Sequence, residues 1–201
     1  MAPDLVSPLE LVAAVLGLAA VWLIVGERLL AWPFGILAGA LALVVFVQAR
    51  LYAGALLQVF YIALQAYGWY SWARRGPAGE RLVVSRASGR TLLVLVGLGA
   101  AGTASLGTLL GGLTDQTLPY WDSFVTAFSL VAQWMVARKL LENWAVWFVV
   151  NVVATGVYVT TGLYFLAVLY TAYLGLSIAG WRTWQASLRA AQQPAAGVLA
   201  S

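Results

Sequence analysis

Seven long apolar stretches constrain this chain more than any other feature of its sequence. They cover roughly residues 8–26, 31–49, 51–72, 91–110, 120–138, 143–160 and 162–181 of 201. A helix of about 20 predominantly apolar residues crosses the hydrocarbon core of a bilayer. Since 63% of the residues are hydrophobic and only 9% are charged, the sequence predicts an all-α membrane protein with seven transmembrane helices.

The basic residues are distributed unequally between the two sides of such a protein. With seven spans, only Arg50 falls on the side of the N-terminus. The side of the C-terminus carries Arg28, Arg74, Arg75, Arg81, Arg86, Arg90, Arg138, Lys139, Arg182 and Arg189. By the positive-inside rule, we expect the N-terminus outside and the C-terminus in the cytoplasm. Because a cytoplasmic loop explains these arginines, no nucleic acid is expected as a partner.

The sequence contains no histidine and no cysteine. Histidine-dependent proteases, histidine zinc sites and disulfides are therefore excluded. Lys139 is the single lysine, and the carboxylates are not clustered along the sequence. Since these residues offer little for catalysis within a membrane, we expect a protein that is not an enzyme and that binds neither a metal nor a cofactor.

An internal repeat appears when the chain is shifted against itself so that Trp32 lies on Trp144. We call this shift the repeat offset. From Trp32 to Trp72, 13 of 41 positions are identical to their counterparts at 144–184, where about four would match by chance in a composition rich in Leu, Ala and Val. The matches also include Trp72 with Trp184. The duplication predicts two parallel three-helix repeats joined by a connector helix, a 3+1+3 arrangement typical of transporters.

The repeat also divides the chain into segments. We expect a first three-helix repeat at 8–72 and a second at 120–184. Residues 73–119 would form a cytoplasmic loop, the connector helix four and an outer loop, and 185–201 a cytoplasmic tail. Helix four is rich in glycine and alanine, which permits close packing against its neighbours.

Polar and aromatic residues recur at helical spacing along three of the expected helices. Helix six carries Trp144, Trp147, Asn151, Thr155 and Tyr158; helix three carries Gln58, Tyr61, Gln65, Trp69 and Trp72; helix seven carries Tyr170, Tyr173, Ser177, Trp181 and Trp184. An amide deep within a span is costly without a partner. Such amides either join helices by hydrogen bonds or face a cavity, and their alignment with aromatic residues on three helices favours a cavity.

Three tryptophans near helix ends have a simpler interpretation. Trp32, Trp72 and Trp184 lie close to the ends of their spans, where tryptophan commonly forms an aromatic belt at the membrane interface. We therefore expect these three side chains to lie at the lipid surface.

The two repeats differ at the positions of the helix-six stripe. Helix two has Gly35 and Gly39 where helix six has Trp147 and Asn151. The site is therefore expected to be built mainly from the second repeat, with the glutamines of helix three reaching across. Aromatic walls with neutral amides suit a planar heterocycle, and the lack of Arg and Lys deep within the spans disfavours a phosphorylated substrate.

Several segments resemble the PnuC family of vitamin and nucleoside-precursor transporters. They are WPFGIL, RLYAGALLQVFYIALQAYGWYSW, DSFVTAFSLVAQWMVARKLLENWAVWFVVNVV, GLYFLAVLY and GWRTW, in the same order over about residues 30–184. The resemblance implies a bacterial inner-membrane homotrimer with the 3+1+3 fold of SWEET sugar carriers, which moves nicotinamide riboside by facilitated diffusion. Related members carry thiamine, riboflavin or deoxynucleosides.

The same resemblance implies which residues line the substrate site. It assigns Trp144, Trp147 and Asn151, together with Gln133 of the segment LVAQW. The polar residues of the helices add Gln58, Tyr61, Gln65, Asn143, Thr155 and Tyr173 as candidates. One departure from the family pattern is Gly54, which follows LYA where the family often has an acidic residue, so no carboxylate acts at that position.

Coupling to protons or sodium generally needs a carboxylate deep within a span or unwound helix ends that hold the ion. The candidates Glu10, Asp122 and Glu142 all lie at helix ends, so we expect uncoupled alternating access. Net uptake then depends on a cytoplasmic kinase that phosphorylates the arriving substrate. Two alternatives stay open: the same architecture carrying thiamine, riboflavin or a deoxynucleoside, and a non-transporting receptor or assembly subunit whose polar stripes only join helices.

Overall fold

The computed structural model describes residues 7–48, 50, 52–74, 79–113 and 118–193. Within them the chain forms seven α-helices: α1 Pro8–Val25, α2 Ala31–Gln48, α3 Tyr52–Ala73, α4 Gly89–Leu113, α5 Pro119–Ala137, α6 Asn143–Thr160 and α7 Tyr164–Gln192. Their order agrees with the seven apolar stretches, although α7 continues about three turns beyond its expected end. Arg75 and residues 194–201 of the expected tail lie outside the described residues.

Five of these helices, α1, α2, α4, α6 and α7, are long and apolar enough to cross a membrane. The other two, α3 and α5, have 22 and 19 residues. They are interrupted by polar side chains, among them Gln58 and Gln65 in α3 and Asp122 in α5. Two of the side chains expected to serve the site are thus part of the reason why α3 is less apolar than its neighbours.

One end of the helix bundle gathers the loops that carry basic residues, and we call it the basic end. There the Ser85 N–H donates to the carbonyl oxygen of Lys139 at 3.0 Å, and the Leu141 N–H donates to the carbonyl oxygen of Ser85 at 2.9 Å. The Glu142 carboxylate accepts the N–H of Ala87 at 2.9 Å. These bonds hold the α3–α4 loop against the α5–α6 loop, and they use one of the carboxylates considered for ion coupling.

The carboxylate of Glu10 is also used locally, in the first turn of α1. The Ser7 hydroxyl accepts the N–H of Glu10 at 3.2 Å, and the Ser7 N–H donates to the Glu10 carboxylate at 2.7 Å. This reciprocal capping box satisfies two N–H groups that the start of a helix would otherwise leave unpaired. Glu10 therefore stabilises the beginning of α1.

Helix contacts follow chain order within two groups. α2 packs against α1 and α3, and α6 packs against α5 and α7. The two groups meet through α3 against α5 and through α1 against α7. Among the described helices, α4 packs against α5 alone. The boundary between the groups therefore runs along α1, α3, α5 and α7.

Backbone geometry recurs at the repeat offset found in the sequence. α2 runs from 31 to 48 and α6 from 143 to 160, and both bounds are equivalent positions of the two repeats. Glu27 and Lys139, at equivalent places after α1 and α5, have φ values of 53° and 52°. Arg50 and Gly162, after α2 and α6, have φ values of 60° and 76°. Since residues other than glycine rarely adopt positive φ, its recurrence at equivalent positions indicates two copies of the same loops.

The expectation that Trp32, Trp72 and Trp184 lie at the lipid surface is wrong. Their side chains are only 1%, 7% and 0% exposed. All three belong to a hydrophobic core at the basic end, which joins residues of both helix groups. Proximity to a helix end does not distinguish an interfacial tryptophan from one that packs between helices.

Two glycines explain how the indoles enter this core. A Cβ atom added at Gly68 would overlap the ring of Trp32, and one added at Gly180 would overlap the ring of Trp144. Each indole therefore packs directly on the backbone of a neighbouring helix, α3 or α7. Small residues permit such close approach between membrane helices, and both pairs are again related by the repeat offset.

Candidate functional site

Four buried tryptophans lie side by side between the helix groups at the basic end, and we call them the tryptophan cluster. Trp32 meets Trp72 edge to face with 5.2 Å between ring centroids, and Trp144 meets Trp184 with 5.4 Å. The angle between ring planes is 87° in both pairs. Trp72 and Trp184 are 6.0 Å apart and connect the two pairs. Edge-to-face packing is a favoured arrangement of aromatic rings, so the cluster fills this space with mutually stabilising contacts.

The two central indoles each make a hydrogen bond to the opposite helix group. The Trp72 Nε1–H donates to the carbonyl oxygen of Val136 at 3.2 Å, and the Trp184 Nε1–H donates to that of Ile24 at 3.1 Å. Val136 and Ile24 are themselves equivalent positions of the two repeats. Each helix group therefore donates one equivalent indole hydrogen bond to the other group.

An ion pair lies beside this cluster. The Lys139 Nζ atom is 2.7 Å from the Glu27 carboxylate, with side chains 10% and 22% exposed. The Lys139 ammonium also lies 4.5 Å from the centroid of the Trp72 ring, within the range of a cation–π contact. The α1–α2 loop and the α5–α6 loop are joined by these contacts.

Sequence reasoning did not select this ion pair, although a signal was present. Glu27 and Lys139 occupy the same position in the two repeats and carry opposite charges. If the two copies of a repeat face each other, equivalent positions lie close together at the boundary. Opposite charges at such positions therefore predict a contact across the boundary.

Asn151 lies in the middle of α6 and is 2% exposed. Its Nδ2–H donates to the Ser177 hydroxyl at 3.2 Å, and that hydroxyl donates to the carbonyl oxygen of Tyr173 at 2.8 Å. Asn151 therefore bonds α6 to α7 within the second helix group. Ser177 belongs to the polar stripe of helix seven but is not among the site residues that the sequence predicts.

Trp144 and Trp147 lie on the same side of α6 as Asn151. Trp144 is 2% exposed, and its Nε1–H has no hydrogen-bond partner among the described residues. Trp147 is partly buried and packs against two hydrophobic clusters, the one at the basic end and one around Val150. The structure thus places these three residues along one buried face, with an unused indole donor at its beginning.

Gln58 and Gln65 of α3 lie over the glycines of α2. A Cβ atom at Gly35 would overlap the Gln65 side-chain oxygen, and one at Gly39 would lie 3.7 Å from that of Gln58. The repeat equivalent of Gln65 is Ser177. In the first group the amide, Gln65, is on the third helix and faces a glycine of the second helix. In the second group the amide, Asn151, is on the second helix and faces Ser177 of the third helix. Each group therefore holds an amide between its second and third helices.

A group of tyrosines lies further from the basic end. The Tyr158 and Tyr170 rings are 5.0 Å apart, and those of Tyr170 and Tyr173 are 5.6 Å apart. The Tyr61 hydroxyl of α3 interacts with the buried Ser129 hydroxyl of α5. Tyr61 therefore crosses the boundary between the groups, whereas the other three rings lie on α6 and α7.

The Tyr173 hydroxyl also reaches the boundary. It lies close to the backbone of α1, where a Cβ atom at Gly17 would be 2.7 Å away. Tyr173 and Tyr61, which are repeat equivalents, thus each reach from the third helix of one group to the first helix of the other.

Of the three remaining expected site residues, Asn143 and Thr155 lie apart from this arrangement. Asn143 is fully buried at the start of α6, where its Nδ2–H donates to the Leu140 carbonyl oxygen at 2.6 Å. Thr155 lines a separate groove of about 300 Å³ between α6 and α7. Gln133 is partly buried on α5, one turn beyond Ser129. The first of these stabilises a loop, since its hydrogen bond closes the turn that precedes α6.

Metal binding has no support among the described residues, where no group of three or more potential ligands occurs. The Asp122 carboxylate of α5 acts electrostatically on Tyr158 and Tyr170, and the other polar side chains described above within the helices are neutral amides, hydroxyls and indoles. Such groups orient a ligand by hydrogen bonds and aromatic contacts.

Comparison with known proteins assigns the chain to a family. Residues 7–186 match the family described as nicotinamide mononucleotide transporter. The chain belongs to this family. Among curated relatives, the nicotinamide riboside transporter PnuC of Escherichia coli is 27% identical over 208 residues, covering 91% of the chain and 87% of the relative. The riboflavin/roseoflavin transporter RibM of Streptomyces davaonensis is 26% identical over 188 residues, covering 92% and 88%.

A solved structure supports the same assignment. The crystal structure of the vitamin B3 transporter PnuC is 25% identical to this chain, with a TM-score of 0.73 over 90% of this chain and 82% of the other. The resemblance to the PnuC family is therefore confirmed. This PnuC-family chain is an all-helical, multi-pass membrane protein from a family of vitamin transporters, and that family is not one of enzymes.

Proposed function

We propose that this chain is an inner-membrane facilitator that takes up nicotinamide riboside by uncoupled alternating access. The observation that carries the proposal is the buried face of Trp144, Trp147 and Asn151 next to the boundary between two equivalent helix groups. A relative that aligns with 91% of this chain is named a nicotinamide riboside transporter.

The proposed architecture is two parallel three-helix units, 8–72 and 120–184, with α4 as the connector. A two-fold axis leaves only the points on it unmoved, so a residue touches its own equivalent only beside such an axis. Trp72 touches Trp184, and Glu27 pairs with Lys139. Both pairs support an approximate two-fold axis along the bundle between the units, as in transporters with parallel repeats.

The proposed barrier is the tryptophan cluster with the Glu27–Lys139 ion pair. These residues fill the boundary at the basic end, which we place in the cytoplasm on the positive-inside rule. Opening this end requires the two indole-to-carbonyl bonds and the ion pair to separate. Rocking of one unit against the other breaks all of them together, because each of them joins one unit to the other.

The proposed substrate site begins at the inner edge of the barrier, and Trp144 belongs to both. Asn151 lies about 12 Å along α6 from its first residue, and Trp144 presents an indole N–H that has no partner among the described residues. Amide and indole groups suit the carboxamide and ribose hydroxyls of nicotinamide riboside. Its positively charged ring suits the faces of aromatic side chains. Gln58, Gln65, Tyr61 and Tyr173 complete the lining in this proposal, and Gln133, Asn143 and Thr155 take secondary positions.

Uncoupled movement is supported by where the carboxylates lie. Glu10 caps α1, Glu142 accepts a backbone N–H, and Glu27 pairs with Lys139. Asp122 lies in the first turn of α5. A proton- or sodium-driven carrier needs an ion site deep in the membrane, so we propose that a cytoplasmic kinase drives net uptake by phosphorylating the arriving substrate. The proposed assembly in the membrane is a homotrimer.

The direct test is counterflow of radiolabelled nicotinamide riboside into proteoliposomes, with thiamine and riboflavin measured in parallel. Counterflow that persists after proton and sodium gradients are dissipated is the expected result. A nicotinamide riboside kinase with ATP enclosed in the vesicles should convert this exchange into net accumulation. Dependence on an ion gradient would contradict the uncoupled mechanism.

Riboflavin is the second candidate substrate, because the relative RibM is named a riboflavin and roseoflavin transporter at nearly the same identity and coverage. Counterflow of riboflavin without nicotinamide riboside would replace the proposed substrate and keep the mechanism. Thiamine would be assigned by the same criterion. If none of the three solutes moved, the non-transporting receptor would be the better hypothesis.

A further inference from the structure

A second concave site lies outside the boundary between the helix groups. It is a groove of about 580 Å³ between α3, α4 and α5. Its walls are apolar and include Leu64 of α3, Val94 and Leu98 of α4, and Leu130 and Trp134 of α5. Val94 and Leu98 are 53% and 61% exposed, so the groove opens towards the surroundings of the bundle and not towards its interior.

The glycines of α4 explain why the groove exists. From Gly99 onwards α4 lies tightly on α5: Gly99 packs against Phe128 and Gly107 against Tyr120, so close that a Cβ atom on either glycine would clash with the ring. The turns before Gly99 carry larger side chains, among them Val94 and Leu98, and α4 makes no backbone contact with α3 among the described helices. The groove is the space between α3 and these first turns of α4.

Positive charge lies at one end of the groove. Arg90, in the first turn of α4, lines it directly and is exposed. Arg138 lies one turn beyond Trp134 at the end of α5, and its guanidinium donates to the Tyr67 hydroxyl of α3 at 3.4 Å. The first turn of α4 contains no acidic residue. A cation at a helix N-terminus is unfavourable because of the helix dipole. The Glu142 carboxylate accepts the Ala87 N–H just before α4 but forms no ion pair with Arg90 among the described residues, so a bound anion would pair with a guanidinium that is still free.

We propose that this groove binds an anionic phospholipid, with an acyl chain along the apolar walls and the phosphate at Arg90. An apolar slot with a cationic mouth on one membrane surface matches both parts of such a lipid. A neutral lipid matches only the slot. In a membrane this face of the bundle contacts lipid, so a phospholipid is available to occupy the groove. The bound lipid would hold α4 at a fixed distance from α3.

The test is native mass spectrometry of the detergent-purified chain with added phosphatidylglycerol or phosphatidylcholine. Arg90→Gln should lower phosphatidylglycerol binding about five-fold, since one basic residue near a lipid surface contributes about 1 kcal/mol. Arg90→Lys should retain binding. Arg189→Gln, an exposed arginine on α7 at the same end, is the matched control and should bind as the unmodified chain does. Equal binding by Arg90→Gln and Arg189→Gln, or equal binding of the two lipids, would overturn the proposal.

Two further variants separate the lipid from other occupants. Leu98→Trp fills the groove without changing charge and should weaken lipid binding as Arg90→Gln does. Because the chain has no cysteine, Val94→Cys is a single probe in the groove. Disulfide-linked dimers formed by this variant in membranes would show a second copy of the chain in place of lipid and would refute the proposal. A variant that stays unlinked, and whose labelling by a maleimide is slowed by phosphatidylglycerol, would support it.

Discussion

Trp72 and Trp184 occupy equivalent positions in the two repeats and pack against each other with 6.0 Å between their ring centroids. Each donates its indole N–H to a carbonyl oxygen of the opposite helix group, at 3.2 and 3.1 Å. The two residues thus make the same contact from opposite sides, and they are the centre of the barrier proposed for the basic end.

Replacing either indole by phenylalanine should have the same effect. Trp72→Phe and Trp184→Phe each remove one hydrogen bond between the helix groups, while the Val136 and Ile24 carbonyl oxygens keep the backbone N–H of Lys139 and Glu27. The loss of one such bond should cost about 1 kcal/mol of unfolding free energy. Thermal unfolding in detergent should show similar decreases in Tm for both. Trp22→Phe, at a position 58% exposed, is the control and should leave Tm unchanged. A decrease for only one of the two would contradict the equivalence of the units.

Exchanging the charges of Glu27 and Lys139 should restore what each single reversal removes. Glu27→Lys or Lys139→Glu alone places two like charges at a contact of 2.7 Å, which should lower stability by about 1–3 kcal/mol after allowance for partial exposure. The double variant regenerates the pair, because the two positions are equivalent. Substrate counterflow and Tm are the measurements. Failure of the double variant to recover either quantity would indicate that the two positions are not interchangeable.

Adding one methyl group at Gly180 should disrupt the packing of Trp144. The new Cβ atom would overlap a buried indole that has no room to move, and such overpacking typically costs about 1–3 kcal/mol. Gly175→Ala is a matched control on the same helix, because nothing lies within 4 Å of its added Cβ atom. That variant should be neutral or stabilising, since alanine is the better helix former. Equal Tm values for the two variants would contradict the close contact.

Asn151→Leu should abolish transport and leave the fold intact. Leucine suits a buried helix, and the Ser177 hydroxyl keeps its own bond to the Tyr173 carbonyl oxygen. The cost in stability should therefore be no more than about 1 kcal/mol. Val152→Leu, next in sequence but 48% exposed, is the control for both counterflow and Tm. Unchanged counterflow in Asn151→Leu would remove this residue from the site.

Single cysteines should report the orientation of the chain, because the sequence has none of its own. Val83, 60% exposed in the α3–α4 loop, and Thr161, exposed after α6, lie at opposite ends of the bundle. In intact cells, a membrane-impermeant maleimide should label Thr161→Cys and should label Val83→Cys only after the membrane is permeabilised. The reverse pattern would place the basic end outside and contradict the proposed topology.

Much of the fold was readable from the sequence, because each span needs a long apolar run wherever it packs. The bounds of α2 and α6 agree with the apolar stretches to within a residue or so, and the repeat predicted which helices would correspond. The segments around Trp32 and Trp144 were also sufficient to indicate the PnuC family. The sequence also predicted amides within the spans, and Asn151 is buried while Gln58 and Gln65 are partly buried; their part in a substrate site stays a prediction.

Only the tertiary structure decided what the tryptophans near the helix ends do. An indole at the end of a span is compatible with the lipid interface and with the space between helices, and the sequence of one helix contains no information on which side faces its neighbours. Gly68 and Gly180 lie on other helices from Trp32 and Trp144, so their fit depends on how α2 meets α3 and how α6 meets α7.

The sequence by itself determined the membrane class, the number of helices, the repeat and the family, since these depend on local hydropathy and on residue order. The tertiary structure decided that Glu27 meets Lys139, that Trp72 and Trp184 bond across the boundary, and that Arg90 lies at the mouth of an apolar groove. These contacts join residues far apart in the chain, and their geometry is set by the packing of whole helices.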